Sequence, residues 1–258
     1  MLLGGTSDAI PIARALLEAG FRVLLSSATS IPLRGVFPEG VQHRVGGLDS
    51  LGFFQIIGGE KIEWVVDATH PYAAEVSANA WKACQQAKIP YLAFDRPSDI
   101  SPLSGVSVVS TVNDLQWAEN HEQAAVLAFS FQRPVLLTIG VRNLAPYVEI
   151  ARKSSLRLVA RVLDHPASIA ACVKFGLNAN EIIAATGPFS EQENVDHIFC
   201  NEINVLVTKD SGEAGGTAAK ISAARNSGCR IVVVQRPPRP GMAYSTIPAL
   251  LIALHTSI

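Results

Sequence analysis

Short apolar runs alternate along this chain with longer amphipathic stretches, and most of the runs end in clusters of Gly, Ser, Thr, Asp or Arg. Runs of that length read as strands buried on both faces, and the stretches between them carry helical spacing. Strands are expected over 1–3, 21–25, 41–45, 62–67 and 91–94. Helices are expected from about residue 8, where Ile12, Ala13, Leu16 and Leu17 recur at helical spacing, and over 49–57 and 73–87. Residues 98–111 are rich in Ser, Pro and Gly and read as a hinge, followed by a helix over 113–127 that packs on the first half. A second alternation begins at residue 133. Its strands fall over 135–139, 156–162, 181–185, 205–208 and 231–235, and its helices over 166–175, 191–201, 217–226 and 247–255. Such alternation predicts an α/β fold with parallel, doubly wound sheets.

The two halves share a plan. Val205 stands 140 positions after Val65, and Arg236 stands 140 after Arg96. Both segments read as strand, polar turn, alanine-rich helix, strand, Arg-Pro, which is repeated architecture with few identities. Two Rossmann-like domains follow: 1–97 as a nucleotide-binding domain, 98–132 as linker and connecting helix, and 133–258 as the substrate domain. A cleft between the two domains is the default ligand site.

Composition narrows the class. Of 258 residues 48% are hydrophobic and 17% charged, with a net charge of −1, so cores are large and no overall basic field attracts nucleic acid or an anionic membrane. Cys84, Cys172, Cys200 and Cys229 form no C-x-x-C pair and read as small buried apolar residues rather than zinc ligands or a disulfide framework. Met1 leads directly into Leu2-Leu3-Gly4-Gly5, too short for a signal peptide, so none is expected, and no apolar run has the length of a membrane span. A cytoplasmic protein is expected, and a monomer, because the expected cleft lies within one chain.

The candidate chemistry sits where strands end, since open parallel sheets bind ligands outside the carboxyl ends of their strands. Gly4-Gly5-Thr6-Ser7 opens the first helix as a phosphate-binding turn does, although a third glycine is missing and a plain tight turn fits as well. Ser26 and Ser27 end the second strand, and Arg34 follows. Hydroxyls and an arginine there suit a ribose 2′-phosphate, so a bound dinucleotide would be NADPH in preference to NADH, and a polar loop is the alternative. Asp67-Ala68-Thr69-His70-Pro71-Tyr72 ends the central strand, where a capped turn with a solvated histidine has the same sequence. Lys209-Asp210-Ser211-Gly212 takes the matching place in the second half. No Ser-His-Asp order, acidic metal cluster or Walker lysine motif is visible. Hydride chemistry, in which a cofactor supplies the reactivity, fits this inventory.

These motifs resemble the precorrin-6A reductase family of cobalamin biosynthesis. The resemblance rests on Leu3-Gly4-Gly5-Thr6-Ser7, on Asp67-Ala68-Thr69-His70-Pro71-Tyr72-Ala73 with Ser77 and Asn79, and on Arg96-Pro97. It continues through Gly187-Pro188-Phe189, Thr208-Lys209-Asp210-Ser211-Gly212 with Lys220, and Arg236-Pro237. It implies NADPH-dependent reduction of one carbon–carbon double bond in a corrinoid precursor, with or without cobalt. Gly4, Gly5, Thr6 and Ser7 would hold the pyrophosphate, and Ser26, Ser27 and Arg34 the 2′-phosphate. Thr69, His70, Pro71 and Tyr72 would flank the nicotinamide. Lys209, Asp210, Ser211 and Gly212 would address the substrate. The implied substrate is a polycarboxylate, which suits Arg96, Arg142, Arg161 and Arg236 near strand ends and the helix starts after Gly140, Gly187 and Gly212. Lys209 is the first candidate for proton donor, with His70 second and water as the alternative. Without the resemblance, a non-redox tetrapyrrole enzyme of the uroporphyrinogen-III synthase kind and a non-catalytic NADP sensor are the other readings.

Overall fold

The chain builds two six-stranded sheets, each parallel throughout. The computed structural model describes residues 1–28, 36–95, 98, 100, 115–212 and 215–256. In the first sheet β1 (Leu2–Leu3), β2 (Leu24–Ser27), β3 (Gln42–Val45), β4 (Val65–Asp67) and β5 (Tyr91–Phe94) are joined by β12 (Met242–Tyr244), in the order β12-β5-β4-β1-β2-β3. In the second, β7 (Val135–Leu137), β8 (Leu158–Val162), β9 (Ile182–Ala184), β10 (Val205–Lys209) and β11 (Arg230–Val234) are joined by β6 (Leu115–Ala118), in the order β6-β11-β10-β7-β8-β9. The expected α/β fold of two Rossmann-like sheets is therefore what the chain adopts, and the repeat extends to strand order.

Helices cover both faces, as parallel sheets require. Side chains alternate along β1, so Leu2 packs with α1 (Ala9–Glu18) and α9 (Ile247–Thr256) through Ile12, Leu16, Leu250 and Leu254. Leu3 faces the other way, towards Phe53 and Ile57 of α2 (Ser50–Gly59) and Ala80, Ala83 and Cys84 of α3 (Ala74–Ala87). The second sheet is flanked by α4 (His121–Ser130), α5 (Ala145–Ser154), α6 (Pro166–Lys174), α7 (Glu191–Cys200) and α8 (Thr217–Asn226). Leu206, Ile231 and Val233 form its core with Ile198 of α7 and Ile221 of α8.

The domain boundaries differ from those expected. One compact unit is Met1–Pro97 with Pro237–Ile258, and the other is Ser98–Arg236. The expected helix over 113–127 is instead the strand β6 followed by α4, and both belong to the second unit. Asn120 marks the true start, its side chain accepting a hydrogen bond from Gln123 N at 2.8 Å. The closing helix, expected in the second domain, returns with β12 to the first, where Leu250 and Leu254 fill its core. Each sheet thus takes its sixth, edge strand from the chain segment that follows the fifth strand of the other. Cys84, Cys172 and Cys229 are buried as expected, but Cys200 is exposed near the end of α7. Among the described residues no helix is long and apolar enough to cross a membrane, and no group of His, Cys, Asp and Glu could hold a metal ion.

Candidate active site

The strand order places a topological switch point in each sheet. In the first it lies between β1 and β4, in the second between β7 and β10, and ligands of such sheets bind at the carboxyl ends there. A cavity of about 490 Å³ opens at the opposite end of the first sheet, lined by Met1, Phe21, Val23, Ile62 and Trp64, which precede the strands. Parallel sheets do not put their chemistry at that end.

At the first switch point the predicted residues come together. Gly4 is packed so closely that a Cβ would lie 2.8 Å from Leu25 Cδ1, and its N–H donates to Ser26 O at 2.8 Å. The Thr6 hydroxyl donates to Ala68 O at 3.0 Å, tying the glycine turn to the turn after β4. This side chain is spent on the fold, so Gly4, Gly5 and Ser7 at the start of α1 are left to meet a phosphate. A helix start over a close-packed glycine fits a dinucleotide's pyrophosphate.

Asp67 organises the next turn. It is 0% exposed. Its Oδ1 accepts from Thr69 N at 2.9 Å and Thr69 Oγ1 at 2.6 Å, and its Oδ2 from Ser77 Oγ at 2.6 Å and Tyr91 OH at 2.5 Å. Arg239 Nη2 lies 3.3 Å from Oδ1 and also donates to Thr69 O and Thr69 Oγ1, each at 2.9 Å, while Nη1 donates to Phe94 O at 2.7 Å. Burial and the neighbouring carboxylate push the Tyr91 phenol well above its usual range. Thr69 is therefore a structural residue of this turn. His70 is partly exposed, its Nδ1 accepting from Tyr72 N at 3.3 Å and its ring 5.6 Å from that of Tyr72. Pro71 is buried and Tyr72 partly exposed.

The end of β2 gained a charge that the sequence reading placed elsewhere. Arg34 lies outside the described residues. Arg44 on β3 stands opposite Ser26 in the register and donates from Nη1 to Ser26 Oγ and to Gly46 O, both at 2.9 Å. Ser27 Oγ lies 2.8 Å from His43 Nε2. Arg44 and His43 were hidden because they precede the Gly46-Gly47 turn, on a strand that pairs with β2 only through tertiary folding. Arg239 was hidden likewise, in a Pro-Pro-Arg-Pro segment 172 residues from Asp67.

At the second switch point Lys209 ends β10, half-buried. Burial, and then the charge of Arg142, lower its amine to about 8. Asp210 and Arg236 form an ion pair at 3.0 Å, with Arg236 Nε also donating to Asp210 O at 2.9 Å. The pair ties the turn after β10 to the carboxyl end of the neighbouring parallel strand β11. Ser211 N donates to Thr217 Oγ1 at 3.2 Å, curling the turn onto α8, and Gly212 is buried within it. Arg142 is exposed. Gly187 precedes Phe189 so closely that a Cβ would meet the Phe189 ring at 2.9 Å. That ring lies 4.1 Å from the Arg161 guanidinium. Half-buried His121 is held near 4 by desolvation and by Lys209, and bonds to Tyr147 OH at 3.0 Å. Arg96 lies outside the described residues.

Residues 1–255 match the family model described as precorrin-6x reductase CbiJ/CobK. The chain belongs to this family. It is 31% identical to the cobalt-precorrin-6A reductase of Priestia megaterium over 98% of this chain and 97% of that protein. It is 34% identical to a precorrin-6A reductase of a Sinorhizobium species, over 92% and 84% of the two chains. Among solved structures, a CobK precorrin-6A reductase superposes with a TM-score of 0.74 at 27% identity, covering 99% of this chain and 96% of that one. Membership makes the protein an oxidoreductase of cobalamin biosynthesis that acts on a carbon–carbon double bond, and a reductase of this kind uses a nicotinamide cofactor.

Proposed function

We propose that the protein reduces one carbon–carbon double bond of a polycarboxylate corrinoid precursor, precorrin-6A or its cobalt complex, with NADPH. The choice of NADPH is carried by the Ser26–Arg44 contact: a guanidinium and two hydroxyls at the end of β2 suit a phosphate on the ribose, and Ser26-Ser27-Ala28 offers no carboxylate to a free 2′-hydroxyl. NADPH, when bound, supplies the hydride. Gly4, Gly5 and Ser7 hold its pyrophosphate by backbone and helix start, with Thr6 fixing their turn. His70, Pro71 and Tyr72 line the nicotinamide, and Asp67 with Arg239 keeps that turn rigid through Thr69. Lys209 holds the proton for the substrate carbon, with Arg142, Ser211, Gly212 and the turn at Gly187 around the macrocycle. Asp210 and Arg236 act through the turn that they brace. The same reading makes the protein a cytoplasmic monomer.

The test is anaerobic NADPH oxidation followed at 340 nm with precorrin-6A and, in parallel, its cobalt complex. Oxidation that depends on either macrocycle supports the reading, and the faster one names the substrate. NADPH binding without oxidation by either would reject it in favour of a sensor. Arg44→Ala is expected to raise KM for NADPH roughly 10- to 100-fold, the worth of one charge-assisted contact, and to leave KM for NADH within about 3-fold. Equal losses for both cofactors would remove Arg44 from the phosphate site.

A further inference from the structure

The second unit holds buried positive charge that the reading above does not use. Arg161 on β8 is 6% exposed. Its Nη1 donates to Asn194 Oδ1 at 2.8 Å and lies 3.0 Å from His197 Nδ1, and Phe189 covers it. All of these partners are neutral: burial, then Arg161 itself, lowers the His197 imidazole. Among the described residues no carboxylate comes within ion-pair distance of Arg161. Glu193 is the acid whose charge reaches it, and that carboxylate is exposed and already accepts from Ser190 N and Ser190 Oγ, each at 2.7 Å.

Lys220 joins this place from the first turns of α8. A Cβ on Gly216, which precedes α8, would lie 3.9 Å from Phe189 O, so the helix begins beside the residue that covers Arg161. α7, which supplies Asn194 and His197, packs along α8. Among the described residues the Lys220 ammonium has no hydrogen-bond or ion-pair partner. Burial, and then the charges of Arg161 and Lys209, bring its amine down to about 7. Lys220 is half-buried and Arg161 buried, and two like charges held close, one of them withdrawn from water and neither beside a carboxylate, cost stability that an anionic ligand would recover.

We infer that Lys220 and Arg161 form a receptor for one carboxylate of the macrocycle, with Lys220 making the direct ion pair. This rests on the corrinoid reading above. Arg161 is oriented by Asn194 and Phe189 and presents a fixed guanidinium. The arriving carboxylate restores the charge on Lys220, so binding between pH 7 and 8 takes up a proton. His197 and His121 stay neutral in that range, and Arg142, beside Lys209, adds positive field.

The experiment is calorimetric titration of the full-length protein with precorrin-6A in the absence of NADPH, in buffers of different ionisation enthalpy at pH 7.5. Wild type is expected to bind with proton uptake. Lys220→Met is expected to bind roughly 10- to 100-fold more weakly without that uptake, and Lys220→Arg to stay within about 3-fold of wild type. The methionine variant loses an unanswered charge, so its Tm without ligand should rise, by roughly 2–4 °C if about 1 kcal/mol is gained. In turnover, Lys220→Met raises KM and leaves kcat within about 3-fold. The inference is overturned if the methionine variant binds as tightly as wild type, or if it loses kcat at unchanged KM, which would make Lys220 a proton donor. Fully esterified precorrin-6A should bind wild type and Lys220→Met alike. A difference that survives esterification also overturns it. Carboxylate-dependent binding without any NADPH oxidation would sink the reductase reading alone, and a wild-type protein that binds no precorrin-6A sinks both.

Discussion

Asp67→Ala is expected to cost about 3–5 kcal/mol of stability and to abolish NADPH binding in whatever protein still folds. Removing one partner of a buried ion pair strands the other charge, here Arg239, whose guanidinium is then enclosed without its carboxylate. The same change leaves the hydroxyls of Thr69, Ser77 and Tyr91 without the acceptor they share. Denaturant unfolding measures the loss, and cofactor fluorescence measures binding. Tyr91→Phe calibrates the result, because it deletes a single hydrogen bond and should cost about 0.5–1.5 kcal/mol, or up to about 3 for a bond to a charged group. If Asp67→Ala costs less than about 1 kcal/mol, the knot is not what holds the His70 turn.

Lys209→Met is expected to lower kcat roughly 10²- to 10⁴-fold, the usual contribution of a positioned acid. A proton donor must carry its proton. Since burial and Arg142 bring the Lys209 amine down to about 8, kcat of the substrate-saturated wild-type enzyme, in which the bound carboxylate keeps Lys220 charged, should fall as pH rises through about 8 and stay level below it. That limb should vanish in Lys209→Met. A loss under about 10-fold with the limb intact would assign the proton to water.

The central strands were legible because β1, β4, β7 and β10 are apolar runs that end abruptly in polar turns, and period and punctuation agreed there. The edge strands were not. β6 and β12 are short, each lies just ahead of a helix, and Trp117 and Tyr244 read equally well in either state. Their assignment to sheets depends on which unit the chain returns to, which no local pattern encodes. The site followed the same division. Gly4, His70 and Lys209 stand on turns that sequence can place at strand ends. Asp67 was recognised as part of a motif, but its work is done with Tyr91 and Arg239, which local spacing does not bring near it. Arg44 was missed because its relation to Ser26 is a pairing register, and Arg34 was the nearer arginine along the chain.

The exchanged edge strands set an order of assembly. Residues 98–236 are continuous and need nothing outside their own span to complete a sheet, whereas the unit that holds Gly4 and His70 cannot close until β12 and α9 arrive. Arg239 travels with that late segment, so the turn at Thr69 is locked by chain made long after it. On the ribosome the sheet of Lys209 is finished first. The opening residues wait with Leu2 and Leu25 uncovered by Leu250 and Leu254, which makes the amino-terminal half the place where a chaperone would find this protein.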